Sequence, residues 1–507
     1  MIHFAILCAV SAVVNADVPQ ARPGPVHVME VTVPDREAVS DLVARGYDIS
    51  AVHGRAVTIH ATDDELNQLF QTGYPYVEVK PPPEALKSGE AYHTFATLTS
   101  ALDDEAAAYP DICRLSSLGK SVQGRDLWAI LITDNPDIEE DEPEFKYVST
   151  IHGDEGVGTE LCLRFIQLLL SSYGTDARIT ALVDTTAIWV VPLMNPDGLV
   201  AGQRFNADGY DLNRSFPAYP ADFQQTVFDD PTPDTTGRPP EVADLMRWTA
   251  ENSFVLSANF HAGSLVVNYP YDNDGTQSGM DAPTPDDALF RNITTRYSMH
   301  NPPMWNSALF QDGITNGNAW YTVVGGMQDW NYRYAGCNEV TIELSDTKYP
   351  AASELESLRE DNRESMLAYL EAVHIGVRGT VTDGATGLPV YAEVRVEGNA
   401  QPVFTDPDVG DYHRMLLPGT YTLTYAAPRY AARTVKDVVV NADEATRVDV
   451  ELTQGDVNHD GVIDALDVQL VVNAILGLNP SCDCDVDGEG VTSTDLQTVI
   501  NIVLGRV

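Results

Sequence analysis

The run His152-Gly-Asp-Glu155 sets a histidine and a glutamate three positions apart, directly after an apolar stretch. Both are metal-ligand types, but a zinc ion would need at least one more N or O donor and an open position for water. His261, in "ANFHAG", ends a second apolar run far along the chain. Between them, "RFNADGYDLNRSFP" (204–217) places Arg204, Asn213 and Arg214 on a glycine-containing loop. Arg and Asn donors grip a carboxylate through fork geometry and charge-assisted hydrogen bonds. Then "ITNGNAWYTVVGGMQDWNY" (314–332) leads to Glu343, an acid closing an apolar strand, where an unpartnered carboxylate is costly without a task. Each feature alone has a plain structural reading: a polar turn, a surface ion pair, a core histidine. Their coincidence points to metal-assisted hydrolysis.

These residues need elements that bring them together. "FKYVSTI" (145–151), "TAIWVVPLM" (186–194), "FVLSANF" (254–260) and "EVTIEL" (339–344) read as buried strands, and "GTELCLRFIQLLL" (158–170) as an amphipathic helix. Long apolar strands separated by helices predict an α/β domain with a mixed, mainly parallel sheet covered by helices, over 91–374. In such sheets functional residues gather at the strands' carboxyl ends, where His152, Asn195 and His261 fall. Residues 17–79 read as a small α+β unit, from "HVMEVTV", "DREAVSDLVARG", "AVTIHA", "DDELNQLF" and "YVEV", and 80–90 as a Pro-rich linker. Short alternating strands between turns predict a β-sandwich over 375–453. Residues 454–507 carry an internal repeat, two acidic glycine-containing loops each leading into an apolar helix.

A chain of 507 residues with 44% hydrophobic content supports several folded domains. Residues 1–16 read as a secretory signal ending in Val14-Asn15-Ala16, and no later segment is apolar enough to span a bilayer. Export permits disulfides, yet removing Cys8 leaves Cys113, Cys162, Cys337, Cys482 and Cys484, an odd set. The net charge of −45 argues against nucleic acid or anionic lipid as the main partner.

The segments "HGDE", "MNPDG", "DLNR", "SANFHAGSLVVNYPYD", "GGMQDWNY" and "TIELS" resemble the zinc metallocarboxypeptidases, and within them the N/E-type branch that removes C-terminal basic residues. The resemblance implies zinc ligands at His152, Glu155 and His261, an oxyanion-stabilising Arg204, and a general base at Glu343. It implies that Asn213 and Arg214 hold the substrate's terminal carboxylate and that Tyr321 closes over the substrate. It implies that Asp272, helped by Gln328, pairs with a C-terminal Arg or Lys side chain. The sandwich resembles a transthyretin-like domain, and 454–507 resembles a dockerin, which implies calcium and a cohesin-like surface partner. Asp456, Asn458, Asp460 and Asp467 fall at loop positions 1, 3, 5 and 12, with Gly461 at the turn. The second loop has Asp485, Asp487, Glu489 and Gly490, but Asp495 arrives one residue early, so calcium is expected mainly in the first.

The expectation is a secreted or cell-surface peptidase acting on peptides or proteins that end in Arg or Lys. Two rivals stay in view: a zinc amidohydrolase acting on small N-acyl amino acids, and a non-enzymatic binding protein on an inactive peptidase fold. The basic-specific branch usually lacks a folded unit ahead of the catalytic domain. Residues 17–79 are therefore expected to be either an inhibitory propeptide or an accessory domain.

Overall fold

The computed structural model describes residues 21–22, 25–79, 92–220, 232–442, 444–478, 482, 484–486 and 490–504. The expected signal over 1–16, the linker 80–90, and Asp487 and Glu489 lie outside the described residues.

Strands β1 (Val26–Thr32), β2 (Asp48–His53), β3 (Ala56–Thr62) and β4 (Tyr76–Glu78) form an antiparallel sheet in the order β2-β3-β1-β4. Helices Arg36–Ala44 and Asp63–Thr72 complete this unit; the second opens on a Thr62/Glu65 capping box and stops at left-handed Gly73. Strand β2 is missing from the sequence reading, and its burial explains why. Asp48 through Val52 are all buried, so the inside-outside alternation of a one-sided strand is absent.

The main sheet has eight strands: β5 (Cys113–Lys120), β6 (Asp126–Ile132), β7 (Glu144–Ser149), β8 (Ala187–Val191), β9 (Phe254–His261), β10 (Ser264–Tyr269), β11 (Ile314–Asn316) and β12 (Asn338–Ser345). Their order is β11-β10-β12-β9-β7-β8-β6-β5. The central four, β12, β9, β7 and β8, are parallel, and antiparallel pairings flank them at β10–β12, β6–β8 and β5–β6. Side chains alternate between two apolar layers. Phe145, Tyr147, Ile188 and Val190 meet Ile166, Phe290 and Tyr369 on one face, while Val148, Trp189 and Val191 meet Met246, Trp248 and Trp330 on the other. Helices Val157–Ser172, Asp287–Ser298 and Leu355–Glu371 cover the first layer; Pro240–Ala250 and Met327–Ala335 cover the second. With both faces covered, β9 and β12 are buried along their whole length.

The sandwich contains β13 (Val377–Asp383), β14 (Glu393–Val396), β15 (Val403–Phe404), β16 (Asp411–Arg414), β17 (Gly419–Ala426), β18 (Arg429–Tyr430), β19 (Arg433–Val440), β20 (Thr446–Arg447) and β21 (Val450–Leu452). One sheet runs β16-β13-β20, with β21 also on β13, and the other runs β15-β14-β17-β19. A buried ion pair ties the sandwich to the main domain: Arg414 Nη2 donates to both oxygens of Asp286, at 2.8 and 3.0 Å. The C-terminal module is a pair of helices, Ala465–Ile475 and Ser493–Val503, whose strand β22 (Gln454–Asp456) pairs with β18. Among the described cysteines, Cys482 and Cys484 are disulfide-bonded, and Cys113, Cys162 and Cys337 are free and buried.

Candidate metal centre and substrate cleft

The carboxyl ends of the parallel strands deliver the expected residues to one place. His152 and Glu155 follow β7, Asn195 follows β8, His261 ends β9, and Glu343 lies opposite His261 in the parallel register of β12. The turn out of β7 is strained: Thr150 is a β-branched residue at φ 53°, held by a 2.8 Å bond between its hydroxyl and that of Thr159. That turn is what sends His152 into the cleft.

His152, Glu155 and His261 are each buried, and their ligand atoms lie within 4.8 Å of one another. Nδ1 of His152 and Nδ1 of His261 are 3.2 and 3.0 Å from the same Glu155 oxygen. On the other side of its ring, His152 Nε2 donates to Asp211 Oδ1 at 3.0 Å, which leaves the Nδ1 lone pair for a metal. Burial lowers His261 to about 4, keeping the ring neutral. Burial opposes charge on Glu155, yet His152, Lys348 and His261 hold its carboxyl well below the usual range. A neutral imidazole and an ionised carboxylate are the protonation states a metal needs. The residues present fit zinc.

Arg204 enters from the loop after Gly202, fully buried, with Nε and Nη2 on Asp211 Oδ2 at 2.9 and 2.8 Å and Nη1 3.5 Å from Glu155 Oε1. Asn213 Oδ1 accepts the backbone N–H of Met327 at 2.9 Å, which leaves its Nδ2 to donate elsewhere. Arg214 reaches the same cavity, as do Tyr321 and Glu343. Glu343 Oε2 is buried without a hydrogen-bond partner, and burial, reinforced by the Glu155 charge, pushes its carboxyl well above the ordinary value.

Asp272 lines the cavity as well, only 3% exposed, and among the described residues no Lys, Arg or His lies within ion-pair distance of it. Burial pushes its carboxyl up to about 7, against the hydrogen bonds of Asn268 and Gln328 and the charge of Arg214. Its backbone is clamped: both oxygens of Asp329 accept the Asp272 N–H, at 2.9 and 3.0 Å, and Oδ2 accepts that of Asn273 at 3.0 Å. Gly317 is required beside it, since a Cβ there would fall 1.8 Å from Asp272 Oδ1. Gln328 Nε2 reaches Asn268 Oδ1 at 3.4 Å, while its Oε1 stays buried and unpartnered.

Strand β2 of the N-terminal unit borders this cleft. Asp48 Oδ2 is 3.5 Å from Arg204 Nε and Oδ1 is 3.4 Å from Arg214 Nη2, while Arg214 Nη2 donates to the Ile49 carbonyl at 2.9 Å. Trp320, Tyr321 and Val323 pack into the apolar core of that unit. Asp48, Asp211, Asp329 and Lys348 were given no role in the sequence reading, although Asp211 and Asp329 stand in "DLNR" and "GGMQDWNY"; nothing in the spacing singles out Asp48 or Lys348.

In the C-terminal module Asp467 is fully buried and accepts the N–H groups of Val457 and Asp464 at 3.0 and 2.8 Å. Asp456 Oδ2 accepts Gly461 N–H at 2.7 Å, and Gly461 takes φ +86° to make that turn. Asn458 Nδ2 donates to Asp460 at 3.0 Å. Asp495 makes the matching contacts in the second loop, with Val486 and Thr492 at 2.6 and 2.7 Å. The missing residue is thus absorbed within the loop, and the acid still closes it.

A mixed sheet of this order, with two histidines and a glutamate at its carboxyl edge, defines a zinc-hydrolase class. The chain belongs to the zinc carboxypeptidase family, whose model matches residues 98–365. The carboxypeptidase regulatory-like domain matches 376–453, and the dockerin type I domain, a calcium-binding module, matches 454–504. The chain is 42% identical to human (Homo sapiens) carboxypeptidase D over 383 residues, which is 72% of this chain but only 27% of that protein. It is 40% identical to carboxypeptidase M of Mus musculus, covering 66% of this chain and 78% of that one. The catalytic chain of human (Homo sapiens) carboxypeptidase N is 39% identical, covering 71% and 85%. The fold is similar to that of carboxypeptidase A from Helicoverpa armigera, with a TM-score of 0.53 at 19% identity over 68% of this chain and 96% of that one.

Proposed function

We propose that this chain is an exopeptidase that removes C-terminal Arg or Lys from peptides or proteins. The observation that carries the basic specificity is Asp272, a buried carboxylate on the cleft wall with no cationic partner among the described residues. An unpaired charge in that position favours a ligand that brings the opposite charge and disfavours an apolar one.

His152, Glu155 and His261 would hold the zinc. When bound, zinc acts as a Lewis acid and brings the pKa of a water to about 7. Asn213 Nδ2 and Arg214 receive the substrate's terminal carboxylate, a group that an internal peptide bond does not offer. Arg204 carries a fixed positive charge beside Glu155, where it favours an oxygen that becomes anionic in the transition state. Glu343, whose Oε2 has no hydrogen-bond partner among the described residues, takes a proton from water and returns it to the departing amine. Tyr321 closes over the bound residue. The complete Arg204, Asn213, Arg214 and Tyr321 set, together with the peptidase relatives, favours this reading over an amidohydrolase of small acyl amino acids.

The dockerin match supports an extracellular or cell-surface setting, with a cohesin-like partner reached through 454–507. No described helix is long and apolar enough to cross a membrane. The deciding experiment compares kcat/KM for peptides identical except for a final Arg, Lys or Leu. Release of the basic residues well ahead of Leu is expected, and equal rates would remove the specificity claim.

A further inference from the structure

We infer that the first calcium loop and the β-sandwich are one linked unit: sandwich residues 429–432 grip the outside of the loop, so that calcium inside it fixes the C-terminal module against the sandwich. The loop suits the metal that the dockerin match implies. Asp456, Asn458, Asp460 and Asp467 offer oxygen donors, and Gly461 makes the sharp turn of the sixth position at φ +86°. No linker separates module from sandwich. Strand β21 ends at Leu452 and β22 begins at Gln454, which leaves Thr453 alone between them. The module is also poor in core. Among the described residues its buried apolar cluster holds Val457, Val471, Cys484, Val486 and Val499, too little to hold a module of this length by burial alone.

The grip falls on the loop itself. Arg429 and Tyr430 of β18 pair with Asp456 and Gln454 of β22, and Asp456 is the loop's first position. The Ala431 N–H donates to the Thr453 carbonyl at 2.9 Å, and the Ala432 N–H to the Gly461 carbonyl at 3.3 Å. Gly461 is thus held from both sides, because its own N–H donates inward to Asp456 Oδ2 at 2.7 Å. The Arg429 N–H donates to Nδ1 of His459, the fourth position, at 3.4 Å. Arg429 Nη1 donates to the Asp485 carbonyl at 2.9 Å, where the second loop begins. Arg429 at φ 69° and His459 at φ 61° both hold left-handed backbone, which costs free energy in residues other than glycine unless contacts over-determine it. None of these sandwich groups is a calcium ligand. They fix the backbone that carries the ligands, and a loop already held in its bound shape loses less freedom when metal enters. Linkage makes the effect reciprocal: whatever the sandwich adds to calcium affinity, calcium adds to the joint. The module therefore stands at a fixed angle to the sandwich when calcium is present and swings free of it when calcium is withdrawn.

The test uses the full chain and follows hydrogen exchange by mass spectrometry, with calcium present or withheld. The segment to watch is 429–433, which belongs to the sandwich and contains no calcium ligand. Calcium is expected to slow exchange there by about tenfold or more, alongside the helix Ala465–Ile475. Asp467→Ala should abolish both responses. Slowing of the helix with none at 429–433 would overturn the inference, since the module would then fold on a free hinge. So would no response at either segment. A second measurement reads the reverse direction. Ala432 is exposed and lies between β18 and β19, outside the paired strands, so Ala432→Pro removes the N–H that holds Gly461 and leaves the sandwich sheets their pairing. Calcium affinity of this full-length variant, read by calorimetry, is expected to weaken by about fivefold or more. Wild-type affinity in Ala432→Pro would also overturn the inference, because the sandwich would then add nothing to the loop.

Discussion

Glu343 and Asp272 are two buried acids in one cleft for which different work is proposed, and single substitutions separate them. Glu343→Gln keeps the volume and removes the proton acceptor. Zinc content should stay at the wild-type level while kcat falls by on the order of 10²–10⁴; metal analysis beside steady-state kinetics checks both halves. Asp272→Ala should lower kcat/KM for a C-terminal Arg peptide by about 3–5 kcal/mol, as for one partner of a buried charge pair, and barely affect a Leu peptide. The carboxyl of Asp272 is pushed up to about 7. In the free cleft it is therefore protonated below that value and ionised above it. The Arg-to-Leu ratio of kcat/KM should then rise with pH through about 7, and Asp272→Asn should flatten the rise. The ratio cancels titrations at the metal centre, which both substrates share. These residues were legible because each stands in a spaced motif. Asp211, which orients His152, and Asp329, which clamps the Asp272 backbone, stand in quoted motifs too, but their roles come from contacts that the motifs do not reveal.

The elements divide the same way. β7, β8, β9 and β12 could be read because strands buried on both faces write long apolar runs. β2 could not, since its outer face is covered by a separate domain whose presence no local pattern records. Short strands such as β15 and β18, two residues each, carry too little sequence to announce themselves. The joint between main domain and sandwich includes one buried contact of this unannounced kind, beside others such as Ser253 Oγ on Asp406 at 3.0 Å and Gln401 Nε2 on the Tyr332 carbonyl at 2.8 Å. Asp286 accepts from Arg414, from the Tyr332 hydroxyl at 2.9 Å and from Asn399 at 2.7 Å. Asp286→Ala would leave Arg414 buried and uncompensated, which should cost about 3–5 kcal/mol. A thermal-unfolding scan should show a clear loss in Tm; an unchanged Tm would mean that the Asp286–Arg414 pair adds nothing to the joint beyond its other contacts. In the C-terminal module, calcium added to the full chain should protect the Ala465–Ile475 helix from hydrogen exchange, and Asp467→Ala should remove that protection. Protection of equal strength at Ser493–Val503 would show that the second loop binds as well, through the closing contacts Asp495 already makes.

At the scale of the molecule, four modules share one acidic chain, with the cleft facing the N-terminal unit and the C-terminal module docked on the far sandwich. The catalytic proposal depends on the metal, the carboxylate grip and the basic pocket acting together on one bond. The most direct test follows one peptide series with the zinc-loaded chain, freed of its N-terminal unit. The series ends in Arg, Lys, Leu or an Arg amide, and each peptide is assayed before chelation, after chelation and after zinc is restored. The account predicts release of Arg and Lys, slow release of Leu, none of the amide, loss of activity on chelation and its return with zinc. Cleavage of the amide at the rate of the free acid, equal release of Leu, or activity indifferent to the chelator would contradict it.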